Sequence, residues 1–203
     1  MNKGELRAHF KALLNRTDCS DALADTFIDQ AIARAQRSLR IPPMEKTATY
    51  TLTAPTDSVL IPADFLEIID FYYDSTNMTR VPLSRLVEYK ANNESGVPKY
   101  FSRQAEELLI YPYPAAGTIT LNYYAQFNDM IEDTDENDLA IIGTDIITYG
   151  ALAYAADYFM DERGQNFEMR FQQFMMELQE QANDAETAGT VQAILPTSAY
   201  DTL

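Results

Sequence analysis

The chain has 203 residues, a formal net charge of −16, and 46% apolar against 23% charged residues. That is the length of one domain with at most a small appendage, and enough chain to bury a core without disulfides or metals. A single cysteine, Cys19, excludes an internal disulfide, and a single histidine, His9, excludes a multi-histidine metal centre.

The first stretch, to about residue 40, reads as helix. Residues 5–14 form a short helix. Ser20 or Asp18 is placed to cap a second, with Asp21 in its first turn. Leu23, Phe27, Ile28, Ala31, Ile32, Ala35 and Leu39 recur at three and four, so one face is buried. Arg34, Arg37 and Arg40 suit the C-terminal end of the dipole, and Pro42-Pro43 is expected to stop the helix.

Residues 47–126 read as β. Residues 50–53 alternate, 58–61 form a short apolar run closed by Pro62, and 66–73 are β-branched and aromatic. Val81-Pro82-Leu83 resembles an edge strand, followed by a short helix from Ser84 to about Lys90. Residues 99–103 and 107–111 look like a strand pair. A Pro-rich turn then leads to a strand over 118–125. Strands this close in sequence predict antiparallel pairing.

A loop over 127–138 precedes two helices. Thr144 or Asp145 is expected to cap the first, about 145–160, whose Gly150 and neighbouring alanines let another backbone approach closely. A break at 161–164 leads to the second, about 165–185, with Phe167, Phe171, Phe174, Met175 and Leu178 on one face. Residues 189–203 show no helical period. The fold class is therefore α+β, divided as 1–46, 47–126, 127–188 and a tail, 189–203.

Few residues invite chemistry. The loop carries Asp129, Glu132, Asp133, Asp135, Glu136 and Asp138. Asp133-x-Asp135-x-Asn137 begins like a calcium loop, but Asp138 stands where glycine is required and Thr144 where glutamate is required. No G-x-S-x-G motif or glycine-rich phosphate loop occurs. The tyrosines of the β region read as strand packing and subunit contacts rather than a stacking platform for sugars or bases. The 15 Lys and Arg are scattered singly among 31 Asp and Glu, which argues against gripping DNA phosphates. No apolar run is long enough to span a bilayer, and residues 1–7 lack a signal-peptide pattern. The chain is expected to work without membrane contact, in a cytoplasm or in a particle assembled there.

The order of signals is more specific than any one of them. Leu60-Ile61-Pro62-Ala63-Asp64-Phe65 leads into a strand. Gly96-Val97-Pro98-Lys99-Tyr100, Leu109-Ile110-Tyr111-Pro112-Tyr113-Pro114 and Leu121-Asn122-Tyr123-Tyr124 follow. Then come Ile147-Thr148-Tyr149-Gly150-Ala151-Leu152-Ala153, Asp161-Glu162-Arg163 and an aromatic-rich helix. This series resembles the head–tail adaptor proteins of tailed bacteriophages, the group that includes the tail tubular adaptor of podoviruses, over about residues 5–185.

The resemblance implies a helical bundle built from N- and C-terminal helices, plus a mostly antiparallel β-domain and an extended C-terminal tail. It implies a structural virion protein of the head–tail neck, not an enzyme and without cofactors. Copies form a ring, usually of twelve, beneath the portal protein. The ring extends the DNA channel, through which the genome passes without specific binding, and docks the nozzle or tail. The tail is then expected to reach the portal through Val191, Ile194, Leu195, Pro196 and Tyr200; Ile194-Leu195-Pro196 and Tyr200 also suit anchoring on a neighbour by apolar burial. The six acids of the 127–138 loop are the first candidates to face the channel, and Tyr149, Gly150, Ala153 and Tyr154 to pack between subunits. The competing readings are a metal- or carboxylate-dependent tail enzyme using the acidic loop, and an acidic monomeric binding module.

Overall fold

The computed structural model of the protein describes residues 1–53, 56–114 and 116–187. Asn2 opens α1 (Lys3–Leu14): its side chain accepts from the Glu5 N–H, and the Glu5 carboxylate accepts from the Asn2 N–H. Ser20 caps α2 (Asp21–Ser38) by accepting from the Leu23 N–H. The double proline does not stop this helix. Leu39 is already extended, and Pro42–Met44 form a separate 3-10 turn. The chain leaves the helix early and buries Leu39 and Ile41 in the core.

The β region makes two four-stranded sheets. β1 (Glu45–Leu52), β8 (Gly117–Ala125), β3 (Phe65–Tyr73) and β4 (Thr76–Asn77) form one, in the order β1-β8-β3-β4. β2 (Ser58–Leu60), β7 (Glu107–Tyr111), β6 (Tyr100–Gln104) and β5 (Thr79–Arg80) form the other, in the order β2-β7-β6-β5. Pairing is antiparallel as expected, except that β5 runs parallel to β6. Phe71 of β3 meets Phe101 of β6 edge-on at 4.9 Å, within an apolar core that is separate from that of the helices.

Val81-Pro82-Leu83 is not an edge strand. The Val81 N–H makes one further bond to the Phe101 carbonyl, and Pro82 then serves as the N-cap of α3 (Leu83–Lys90), where a missing N–H does no harm. Tyr89 of α3 lies against Tyr100 and Tyr111 of the second sheet.

Three helices, not two, follow the loop: α4 (Asp138–Ile142), α5 (Thr144–Phe159) and α6 (Gly164–Thr187). The short α4 is capped by Asn137, which accepts from the Ala140 N–H. Neither Thr144 nor Asp145 caps α5, whose N-cap is Gly143. The Thr144 hydroxyl instead donates to the Ala140 carbonyl, one turn back in α4. The expected break falls at Met160, in the left-handed conformation.

α5 is apolar on every side and packs against α1, α2, α4 and α6 at the centre of the bundle. Gly150 makes this possible. A Cβ there would stand 2.9 Å from the Ala31 Cβ of α2 and 3.0 Å from the Phe171 ring of α6. At the far end of the bundle, Arg163 donates to the Leu14 carbonyl that ends α1 (3.0 Å), while the Asp161 carboxylate holds the guanidinium at 2.6 Å.

Gly150→Val is expected to lower stability by about 1–3 kcal/mol through overpacking, read as a lower urea midpoint at unchanged slope. Hydrogen bonds from Arg163 hold the Asp161 carboxyl down from 3.8 to about 2. A depressed carboxyl stabilises fully above its unfolded pKa and loses that effect as pH falls through its folded pKa. Wild type should therefore lose more stability than Asp161→Asn between about pH 4 and pH 2. Urea unfolding of both proteins at several pH values in that window checks this, and parallel losses would refute it.

Candidate functional site

The acidic loop does not lie free. Its backbone and side chains close the N-terminal end of α1. The Lys3 N–H donates to the Asp135 carbonyl (2.9 Å) and the Gly4 N–H to the Asp133 carbonyl (3.0 Å). The Glu5 N–H goes to the Asn2 side chain, and the N–H of Asn2, the N-cap itself, to the Glu5 carboxylate. The first four N–H groups of the helix, which no helix satisfies internally, are thus all bonded. Gly4 lets the loop come this close, since a Cβ there would stand 3.3 Å from the Asp133 carbonyl oxygen.

Side chains tighten the same junction. The buried Lys3 ammonium donates to the Met130 carbonyl at 2.7 Å. Arg7 forks to both oxygens of Asp25 (2.6 and 2.8 Å) and reaches the Asp133 carboxylate at 2.6 Å. The Arg7 hydrogen bond holds the Asp133 carboxyl below its ordinary range. The Asp135 carboxylate accepts the Glu132 and Ile131 N–H groups, which lower it likewise. The Met1 ammonium donates to Glu136 at 2.5 Å.

The six loop acids therefore divide. The Asp133 and Glu136 carboxylates bond Arg7 and the Met1 ammonium and that of Asp135 braces the loop itself, whereas the exposed Asp129, Glu132 and Asp138 side chains take no part in these bonds. Among the described residues, no group of three or more His, Cys, Asp or Glu side chains is placed to hold a metal ion. Asp138 serves α4 as an acid in its first turn.

The four α5 residues do not share one surface. Gly150 is buried between α2 and α6 of its own chain. Tyr149 is half-buried against Phe167 and Phe174, and its hydroxyl accepts from Arg170 at 3.1 Å. Tyr154 is half-buried with the Arg34 guanidinium over its ring, and Arg34 also forks to Glu168. Ala153 is half-exposed in a shallow groove with Ala156, Gly164 and Glu168. Val191, Ile194, Leu195, Pro196 and Tyr200 lie outside the described residues.

Two exposed apolar features went unread in the sequence. Met169 and Met176, each 61% exposed, stand along the outer face of α6. Their seven-residue spacing is the signal that marks them as one stripe. Leu13 of α1 joins Ile141 and Ile142 of α4 beside His9 in a second exposed groove. Nothing local marks that pairing, because the two elements are far apart in sequence.

A bundle made from both ends of the chain around an inserted β-sandwich is the arrangement that the resemblance implied. The family model for the SU10 adaptor protein matches residues 1–193, which takes in both parts. The chain belongs to the SU10 adaptor protein family. This is a phage head–tail adaptor family, so the protein is a structural component of a bacteriophage virion. A comparison with curated proteins finds no match. Among the described residues, no helix is long and apolar enough to cross a membrane.

Arg7→Leu should release both Asp25 and Asp133 and lower stability by about 1–2 kcal/mol. The amides of Lys3 and Gly4 should then exchange with solvent faster than in wild type. Unchanged exchange at those two amides would mean that the loop is held without Arg7.

Proposed function

We propose that this adaptor assembles as a closed ring beneath the portal protein, extends the DNA channel and offers a docking surface to the nozzle or tail. The observation that carries the reading is the family match over nearly the whole chain. The disposition of charge supports it. Among the described residues, nine Lys and Arg side chains are tied in ion pairs to acids of the same chain. The charge left unpaired is therefore overwhelmingly negative. Twelve copies would gather roughly −190 formal charges around a pore, a field that repels DNA phosphates and lets the genome slide. The exposed Asp129, Glu132 and Asp138 are the loop acids suited to face that pore, because the others hold the loop in place.

The purified chain should join the portal of its own particle in one fixed multiple, measured as mass by light scattering at physiological salt. A chain that stays at 23.0 kDa and ignores the portal would overturn the reading. Replacing Asp129, Glu132 and Asp138 together by lysine should leave portal binding intact. The assembled ring should then retain DNA at low salt and release it as salt rises. Equal DNA retention by wild type and variant would remove these three acids from the channel.

A further inference from the structure

The two sheets present four edges, and three of them are blunted. β4 and β5 are two residues long, and β2 is three residues long and closed by Pro62. β1 is eight residues long, and residues 47–53 (TATYTLT) contain no charge, proline or glycine. Its register against β8 runs unbroken from Glu45 to Leu52. Natural proteins shorten, charge or kink such an edge unless it receives another strand.

The pattern of free groups on this edge follows from β8. The Asp74 N–H donates to the Thr118 carbonyl and the Gln126 N–H to the Asp64 carbonyl, so even-numbered residues of β8 bond toward β3. Odd-numbered residues of β8 then bond toward β1, where their partners are Lys46, Ala48, Tyr50 and Leu52. Glu45, Thr47, Thr49 and Thr51 consequently point N–H and C=O away from the sheet. Among the described residues no strand pairs with them.

We propose that this edge receives residues 190–195 of a second copy of the chain as an added strand. The inference rests on the ring reading, because a ring of identical chains needs two different surfaces of each copy to meet. An open edge and a segment of the same chain with a strand's alternating sequence are such a pair. Three observations name the occupant. Thr190-Val191-Gln192-Ala193-Ile194-Leu195 places Val191, Ala193 and Leu195 on one side with a period of two, and Pro196 ends the run because it cannot donate to a ladder. α6 runs toward the β-sandwich, where the Gln179 amide both accepts from and donates to the Arg40 backbone, five residues before β1. From Gln179 the helix continues eight residues, about 12 Å, and Leu195, eight residues beyond Thr187, can stand up to about 28 Å farther on. Main-chain bonds supply the affinity of such a strand and alternate side chains its register.

Hydrogen exchange at the Thr47, Thr49 and Thr51 amides tests this, with light scattering on the same samples. In the full chain these amides should slow by about tenfold as copies associate, and they should stay fast in a chain ending at Thr187. Thr49→Pro removes one outward N–H and spares the ladder to β8. Alone, this variant and the truncated chain should each fail to build multimers. Mixed, they should form a pair of chains and nothing larger, because one offers a segment and the other an edge. Protection already present in the dilute monomer would mean that the segment folds back on its own chain, and would overturn the proposal. Multimers that form equally well from both variants would also overturn it while leaving the ring reading intact. A full chain that never associates, even with portal, would end the ring reading as well.

Discussion

The bundle depends on how closely α5 can approach α2. With Ala31 opposite Gly150, only the Ala31 methyl stands between the two backbones, and the Phe171 ring of α6 closes over the same spot. Everything that α5 buries follows from that approach. Ile146, Ile147, Ala151, Leu152 and Ala155 point in different directions around the helix and still find apolar partners. A central helix of this kind needs neighbours on all sides. The chain supplies them from its two ends, with α1 and α2 first and α6 last.

The sandwich joins this bundle through Leu66 of β3 and Tyr124 of β8, which pack against the helical core, and through a set of polar contacts. Arg40 is the hub. Its backbone is bonded by Gln179, its guanidinium reaches Glu67 of β3 at 2.7 Å, and its charge lies near the Tyr124 ring of β8. The two apolar cores remain separate. Two cores that share no buried residue need not open together, so local openings of the sandwich can leave the bundle closed.

Period and caps made much of this legible. The three-and-four spacing of α2, the serine cap at Ser20 and the alternating strands were visible because each is a local regularity. Gly150 was legible as a point of close approach, although its neighbour is a helix of the same chain. The misreadings also have local causes. Pro82 fits an edge strand as well as a helix cap, and the backbone on either side decides between them. Strands of two residues, such as β4 and β5, are too short to show a period. Half of the acidic loop's role was hidden for a different reason. Asp133 and Asp135 act on α1 through their carbonyls, which every residue possesses, so no side-chain pattern announces it.

The closure of α1 by residues more than 120 positions later has a consequence for how the protein is made. The Asn2 cap and the helix it opens leave the ribosome before the loop that closes them. The carbonyls that bond Lys3 and Gly4, on Asp135 and Asp133, emerge only after more than 120 further residues. Contacts between segments so far apart in sequence form slowly, because a large loop of chain must be ordered before they are rewarded. The sandwich, whose strands are near neighbours in sequence, is complete before then. The bundle is therefore the last part to consolidate, and its exposed apolar helices are the species that must be kept from aggregating during synthesis.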